Sequence, residues 1–590
     1  MKRVYQQFFN FIRTKLSRAQ LIVLVAVFTG LVSGLLAVLM KGLVHLILDS
    51  ILSQKQHGFY YLLFPLLGLF ISALIIRYFL GGYIERGIAM VLRAMARKGS
   101  YIPLSHTWAH VLTSSVTVGL GGSAGLEAPI VATGSAVGSN LGRISDLTYA
   151  ERSLLIACGA AAGIAAVFNA PVAGVIFAVE ILLTEMMVSY FIPLIISAVT
   201  GVLCARVVLG EELLFNFRLK QAFDYHNVPF YLLLGVLAGF VSLYYARVYK
   251  KTEHRISGWK SWFGWKVLTG GSILACLYFI LPPLFGEGYE RITLVANGLF
   301  TNFTDNTSLL SGLREPWGLL IFAGLIILLK PVAAAITIGS GGNGGNFAPS
   351  LFTGAYLGFF FARLVNSTPW FKIPEGNFSL VGMAGLLSGV MYCPLTGIFL
   401  IAEVTNGYEL FIPLMIVSAV SFFIVKSYEP YSMDIKKLAE EGQVFTHQKE
   451  KNILTSIQLS DILHDTFETI SIDKKLRDLV EVIRRSEKNI YAVVDQKGKF
   501  AGIIELNDVK QRLFDSRQFD IVPVRSLMKK PPAVLDEEED MHSVMEKFDL
   551  TRSWFLPVLD KQKNFKGFIS KTKIFYKYRE ILSASNDIYQ

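Results

Sequence analysis

Long hydrophobic runs recur along the first three quarters of the chain, at about 20–48, 60–80, 191–209, 229–248, 265–286 and 317–338. Each is near the roughly 20 residues that an α-helix needs to cross the hydrocarbon of a bilayer, and each predicts a spanning helix. Shorter apolar segments, at about 128–142, 152–168, 172–183, 349–364, 380–392 and 394–404, are broken by glycine or proline. Such half-length segments predict helices that end inside the membrane, which the bilayer permits only where the freed backbone lines a protected or watery cavity. After about residue 433 the pattern changes to short alternating strand and helix signals with many charges. No run there is long enough to span, so a soluble C-terminal module is predicted, joined by a polar linker over about 434–454.

Composition agrees with this division. Of 590 residues 53% are hydrophobic and 17% charged, and the mean hydropathy is +0.47, too apolar for a soluble globular protein of this length. The first 19 residues carry five basic side chains and no acidic one. They precede an apolar stretch longer than a signal-peptide core and lacking a small-residue cleavage site, so a retained cytoplasmic N-terminus is expected, with the C-terminal module on the same side. The net charge of +11 then reads as a topology signal and a solvated surface; no clustered basic face points to nucleic acid. The cysteines Cys158, Cys204, Cys276 and Cys393 lie in apolar segments without metal-like spacing and are expected as small core residues.

The membrane part is a repeat. "GSAGLEAPIVATGSAVG" from Gly122 aligns without a gap on "GNGGNFAPSLFTGAYLG" from Gly342, and "GAAAGIAAVFNAPVAGVIFAVE" from Gly159 aligns on "GMAGLLSGVMYCPLTGIFLIAE" from Gly382. The second alignment pairs Pro171 with Pro394 and Glu180 with Glu403. Two copies, about 20–215 and 225–430, therefore build residues 20–433, an arrangement that in transporters forms a substrate site where the halves meet. Each copy feeds a glycine-rich loop into a helix with proline in its first turn. A start of this kind presents unpaired N–H groups and the positive end of a helix dipole. Two of them facing one another make an anion site without a full buried positive charge. Glu127 stands before Ala-Pro in the first copy, where the second has Phe347. A carboxylate there can occupy the site as a tethered anion and leave it when protonated or displaced, which would make it a gate.

These residues resemble the CLC family of chloride channels and chloride/proton antiporters over about 20–435. The family's gating-glutamate motif appears as Gly125-Leu126-Glu127-Ala128-Pro129, its Gly-x-Phe-x-Pro motif as Gly345-Asn346-Phe347-Ala348-Pro349, and its anion-coordinating tyrosine as Tyr431. The resemblance implies an all-α polytopic membrane fold with an inverted internal repeat and a homodimer in which each subunit has its own pathway. It implies anion binding by Gly125, Leu126, Phe347, Ala348 and Tyr431, gating by Glu127, and residence in a bacterial inner membrane.

Three positions depart from the family pattern. The family's anion-contacting serine falls, by spacing, on Arg86 in "IERGIAMVL", whereas the echo at Gly99-Ser100-Tyr101-Ile102-Pro103 lies too close to Glu127. Arg86 either donates its guanidinium to the anion or snorkels to an aqueous vestibule and leaves backbone N–H groups in the site. The second is preferred, because a fixed charge would bind anions tightly and slow release. The family's internal proton-collecting glutamate is replaced by Ile181, which cannot carry a proton. Glu185, one helical turn on, is a substitute if it faces the same way. Leu126 and Ala128 replace the motif's basic residue and second glycine, which should make ionised Glu127 less favoured and move the pH range of gating.

The tail repeats as well. "AVVDQKGKFAGIIELNDV" matches "LPVLDKQKNFKGFISKTKI", pairing Gly502 with Gly567 and Asp508 with Lys573. Strand, turn, strand after glycine, then helix resembles a CBS domain, so an α/β pair is expected, 455–520 and 521–590. In that family the residue at Asp508 often binds an adenosine ribose, which makes an adenine nucleotide a candidate ligand. The alternative is a pair that only dimerises and anchors the membrane helices. No cofactor or metal is required by the sequence. Transport of chloride or a similar small anion, passive or weakly proton-coupled, is the reading adopted; an antiporter with a non-standard proton path stands beside it. A membrane enzyme lacks a catalytic signature among the nine scattered histidines. A CBS-regulated divalent-cation transporter would want convergent carboxylates, whereas Glu180 and Glu403 read as structural partners of backbone groups near helix ends.

Overall fold

The computed structural model describes residues 16–586 apart from 53–58, 82–83, 86, 98, 184–187, 211–220, 260–262, 297–315, 406, 437–453, 455–456, 458 and 464–466. The chain divides after residue 444 into two compact units. Within the described residues of the first, eight helices are long and apolar enough to cross a membrane. Two of them, Tyr149–Phe168 and Phe347–Asn366, lie where the hydrophobic pattern is broken by glycine. Glycine does not end these helices because it lets neighbouring backbones touch: a Cβ on Gly138 would lie 1.9 Å from the carbonyl oxygen of Leu155, and one on Gly358 equally close to that of Phe378. The expected 265–286 span is instead a helix to Ile280 followed by a 3-10 turn at Pro282–Leu284. Pro282 and Pro283 supply no N–H to continue the helix.

The first copy comprises α1 (Arg18–Leu52), α2 (Phe64–Phe79), α3 (Gly87–Arg97), α4 (His106–Gly119), α5 (Glu127–Ile144), α6 (Tyr149–Phe168), α7 (Pro171–Phe177, ending in a π turn at Ala178–Leu182) and α8 (Val188–Leu209). The second comprises α9 (Val228–Ser257), α10 (Phe263–Ile280), α11 (Tyr289–Ala296), α12 (Pro316–Gly339), α13 (Phe347–Asn366), α14 (Glu375–Met391), α15 (Pro394–Val404) and α16 (Phe411–Tyr428). Packing follows a pseudo-twofold relation. α5 lies on α6 as α13 lies on α14, and α1 lies on α8 as α9 lies on α16. α6 ends at Asn169 with φ 55° and α14 at the equivalent Tyr392 with φ 61°. In each a left-handed residue stops the helix and a proline two residues on starts the next.

The two copies also cap one another. At the end of α7, Glu180 accepts hydrogen bonds from the N–H groups of Leu395 and Thr396, at 3.0 and 2.9 Å, and from the Thr396 hydroxyl. Glu403, near the end of α15, accepts from the N–H groups of Val172 and Ala173 at 3.1 and 2.7 Å. Each acid satisfies orphan donors at the other copy's helix start, where the helix dipole also favours it. These carboxylates are structural, as the sequence pattern suggested.

In the second unit, β1 (Thr469–Ser471), β2 (Ile490–Val494) and β3 (Phe500–Glu505) form one sheet, and β4 (Leu535–Asp536), β5 (Phe555–Leu559) and β6 (Phe565–Ser570) form another. In both, the first pair is parallel and the second antiparallel, with a register shift at the equivalent place, after Val493 and after Val558. Phe500 stacks on Phe565 between the two sheets. The cores interleave across the expected 520/521 boundary. Ile457, Leu459 and Ile462 pack with the second sheet, and Val524 packs with the first. Short strands with one apolar face require the lead-in of the other copy to finish their cores.

Replacing Glu180 by alanine leaves the Leu395 and Thr396 N–H groups unmet, a cost of about 1–3 kcal/mol per group. Glu180→Ala and Glu403→Ala are each expected to lower the thermal midpoint of the detergent-solubilised protein by similar amounts. Midpoints equal to wild type would show that the reciprocal caps contribute nothing.

Candidate functional site

Two loops meet at the pseudo-twofold axis. Gly125 and Gly345, equivalent in the repeat, form an antiparallel bridge in which each N–H donates to the other's carbonyl, at 2.9 and 2.8 Å. The same relation extends outward. The Ser123 N–H donates to the Thr337 hydroxyl at 3.1 Å, and the Asn343 N–H donates to the Thr117 hydroxyl at 3.0 Å. This pairing sets the starts of α5 and α13 side by side, so two sets of orphan N–H groups and two positive dipole ends converge. Gly125 is required here: a Cβ would lie 2.2 Å from Glu127 Oε2 and 2.9 Å from the Ala348 Cβ.

Glu127 is 1% exposed. Its Oε2 accepts from the Ala348 N–H at 3.3 Å, and its Oε1 accepts a hydrogen bond from the Tyr289 hydroxyl. A carboxylate of the first copy thus sits on the helix start of the second, in the manner of a tethered anion. Gly125, Leu126, Glu127, Phe347 and Ala348 come together at this point. The ring of Phe347 packs against Phe168 and Phe177, at 5.6 and 6.2 Å between centroids, and Phe168 meets Tyr289 edge-on. The carboxylate is therefore enclosed by aromatic walls.

The other sequence candidates lie elsewhere or outside the described residues. Tyr431 is 42% exposed and lines a cavity of about 1110 Å³. That cavity extends to Gly339, Ser340 and Gly341, which lead into the loop carrying Gly345. Six basic side chains, Arg77, Arg93, Arg247, Lys250, Lys266 and Lys436, outnumber four acidic ones on its wall, a balance that raises local anion concentration. Ile181 lies in the π turn of α7, half-buried against the apolar core. Arg86 and Glu185 fall outside the described residues. Ser100 is turned to Ser153, 2.5 Å away, and its carbonyl accepts from Ser139, far along α5 from Glu127. The Gly-Ser-Tyr-Ile-Pro echo is thus a packing turn. In the second unit Asp508 is paired with Lys529 at 2.7 Å, and this hydrogen bond raises the Lys529 ammonium above its usual range.

Sequence reasoning passed over Tyr289 and Lys330. Lys330 is fully buried in α12, donates to the carbonyls of Leu284 and Gly286 at 3.3 and 3.1 Å, and lies over the Phe352 ring. A lone lysine inside a predicted spanning run was a signal in its own right. It stands as far before Phe347 as His110 stands before Glu127. His110, also fully buried, accepts from the Asn343 side-chain amide at 3.1 Å and reaches His106 through its other ring nitrogen. Each copy therefore places a basic side chain at the same depth.

Both units match known families. A family model described as voltage gated chloride channel matches residues 68–426, and a CBS domain model matches 459–515 and 524–580. The voltage-gated ClC-type chloride channel ClcB of Escherichia coli K12 is 30% identical over 316 residues, which cover 50% of this chain and 70% of that protein. A ClcB-like protein of Ralstonia nicotianae is 29% identical over 364 residues, covering 60% and 80%. Among solved structures, a slow cyanobacterial Cl⁻/H⁺ antiporter superposes with a TM-score of 0.62 at 22% identity, over 72% of this chain and 98% of that one. A eukaryotic CLC transporter superposes with 0.55 at 16% identity, over 94% and 99%. At these identities the structures establish the fold.

Tyr289→Phe removes one hydrogen bond to a charged group, worth about 1.5–3 kcal/mol. Release of Glu127 from the α13 start should become roughly ten- to a hundredfold more favourable. Anion flux through reconstituted vesicles at neutral pH is expected to rise; an unchanged rate would show that the phenol does not hold the carboxylate in place.

Proposed function

The chain belongs to the voltage-gated chloride channel family, and from that premise we propose that it carries chloride passively, or with weak proton coupling, with Glu127 as the gate. It is a multi-pass integral membrane protein of CLC type. The observation that carries the gating reading is the Glu127 carboxylate seated on the Ala348 N–H where two helix starts converge. An anion arriving there competes with that carboxylate for the same donors, so flux requires the carboxylate to leave.

Ile181 supports weak coupling. An aliphatic side chain packed in the apolar core neither binds a proton nor admits a chain of water at that point. The cavity bearing Tyr431 serves as the inner vestibule, with the N- and C-termini on the same, cytoplasmic side of a bacterial inner membrane. In this reading Tyr431 meets the anion as it enters from the vestibule, and Gly125, Leu126, Phe347 and Ala348 supply backbone donors further in. The protein works as a homodimer, and the tail contributes to dimerisation. The alternative of an antiporter draws support from the solved neighbour described as a Cl⁻/H⁺ antiporter, and it requires a proton path that does not pass through residue 181.

Chloride efflux from liposomes, with potassium held by valinomycin and with or without a protonophore, separates these readings. Passive conduction predicts efflux that needs no protonophore and no uphill proton movement under a chloride gradient. A fixed anion-to-proton ratio would refute it. Glu127→Gln is expected to change the rate or its pH dependence strongly while the dimer stays folded; a wild-type profile in a folded mutant would remove Glu127 as the gate.

For the tail, Asp508 is engaged by Lys529 and Lys573 stands where the second copy would need an acid, which favours a dimerising role. ATP or AMP is expected to leave the thermal midpoint unchanged. A shift that disappears in Asp508→Ala would instead establish a nucleotide site.

A further inference from the structure

A polar chain that the gate does not use runs from a side cavity to the loop carrying Gly345. The cavity, of about 220 Å³, is bordered by His106, Glu85 and Tyr101, and it shares Glu85 and Met90 with the large cavity bearing Tyr431. His106 is half-buried there, at the start of α4. Its Nδ1 lies 3.1 Å from Nε2 of His110, and Nδ1 of His110 lies 3.1 Å from the side-chain nitrogen of Asn343. His110, Thr113 and Asn343 are each buried. Asn343 belongs to the loop itself: its main-chain N–H donates to Thr117, and Gly345, two residues on, forms the bridge to Gly125.

The hydrogen bonds of this chain all run one way. The Thr113 hydroxyl donates to the Ala109 carbonyl at 2.7 Å, so its oxygen accepts from the Asn343 amide, also at 2.7 Å. The second amide hydrogen goes to His110 Nδ1, which accepts. A neutral imidazole that accepts at Nδ1 carries its hydrogen on Nε2, so His110 donates to His106 Nδ1. One hydrogen then lies in each gap. A proton added to His106 Nδ1 puts a second hydrogen between the rings, and the conflict is relieved within the chain when His110 moves its hydrogen from Nε2 to Nδ1. That N–H now meets the Asn343 amide hydrogen, so the amide must turn its oxygen inward. The charge stays on His106, the ring nearer the cavity, and the buried ring changes only its tautomer.

Among the described residues, the charged and titratable groups around the pair come from several elements. Across the cavity are Tyr101 and Glu85, the latter paired with Arg93 of α3 at 2.6 Å. α2 contributes Arg77, next to Ile76, which packs with Ala109. α5 contributes Arg143, over the Tyr101 ring at 5.0 Å, and Glu127, held by Ala348 and Tyr289. α1 contributes Lys41, one residue past the Met40 carbonyl that accepts from Ser115, a turn beyond His110. Glu85 is the acid that borders the cavity, and it favours a cation on His106. We propose that His106 and His110 bind one proton from the cavity and, through the tautomer of His110, release the Asn343 amide, so that acid loosens the loop on which Glu127 is seated. The proton comes from water; His106 gains one N–H bond, and His110 loses one and gains one. The effect on chloride rests on the gate reading of Glu127, whereas the proton switch does not.

The test is hydrogen–deuterium exchange of the full-length protein in liposomes, at about pH 7.5 and about pH 5.5, the range over which imidazole exchanges its proton. After correction for the intrinsic pH dependence of exchange, protection of the Asn343 and Gly345 amides should fall by about tenfold on acidification, the loss of roughly one hydrogen bond. His106→Gln and His110→Gln keep hydrogen-bonding groups without a titratable ring, and each should show the same protection at both pH values. Glu127→Gln should retain the fall. Constant protection in wild type, a fall that survives in both histidine variants, or a fall lost in Glu127→Gln would each overturn the proposal, and the wild-type measurement decides even where a variant fails to fold. Chloride efflux from the same liposomes should rise with acid less steeply in His106→Gln than in wild type. Equal slopes would overturn the link from the switch to the gate. Absence of chloride efflux from every protein would count against the transport reading itself, while the exchange result would still decide the switch.

Discussion

Everything in the membrane unit is arranged around one electrostatic problem. Two helices point their positive ends at one another across the Gly125–Gly345 bridge, and the convergence is unfavourable unless something negative lies between them. The protein supplies that charge from its own sequence, so the resting site is neutralised before any ion arrives. The glycines make the approach possible, the prolines in each first turn cost no hydrogen bond, and the aromatic rings of Phe168, Phe177 and Phe347 keep water from screening the interaction. An anion arriving at such a place would compete with the carboxylate for the same donors.

The scaffold is symmetric and the chemistry is not. Thr117 and Thr337 make equivalent hydrogen bonds to the opposite loop, and Glu180 and Glu403 make equivalent caps. Where function enters, the copies differ. Glutamate faces phenylalanine at 127 and 347, histidine faces lysine at 110 and 330, and only the second copy carries the turn with Glu287 and Tyr289. Duplication provides two helix starts at once, and substitution on one side then places a carboxylate between them. Symmetric pairs are held by backbone geometry that both copies must satisfy, while the asymmetric positions are side chains free to take up separate roles.

The repeat made the facing pair of helix starts legible from sequence, because glycine before and proline after one point in both copies has a backbone reason that needs no tertiary knowledge. Glu127 was legible for the same reason: it interrupts that pattern. The structural role of Glu180 and Glu403 could be read from their matched places near helix ends. Tyr289 could not, since it belongs to no repeat and its closeness to Glu127 bridges 162 residues. Lys330 was hidden by the hydrophobicity around it. The Ser100 echo was rejected on spacing, and the structure supplies the physical reason: its hydroxyl and carbonyl are already taken by Ser153 and Ser139. In the tail the repeat identified both sheets, but the exchanged lead-ins, Ile457 to the second and Val524 to the first, depend on which core has room, and a linear boundary cannot express that.

The reciprocal caps have a consequence for how the chain is made. The N–H groups at the start of α7 are satisfied by Glu403, 231 residues further along at Val172. At a synthesis rate of about 5–20 residues per second, those donors wait roughly 10–50 s for their acceptor. Through that interval the first copy sits in or beside the membrane with an uncapped helix end, and until Gly345 is made it has no partner for its glycine bridge either. Its lifetime as a half-molecule is set by the ribosome. A stalled or truncated chain ending before residue 403 would keep that end open indefinitely.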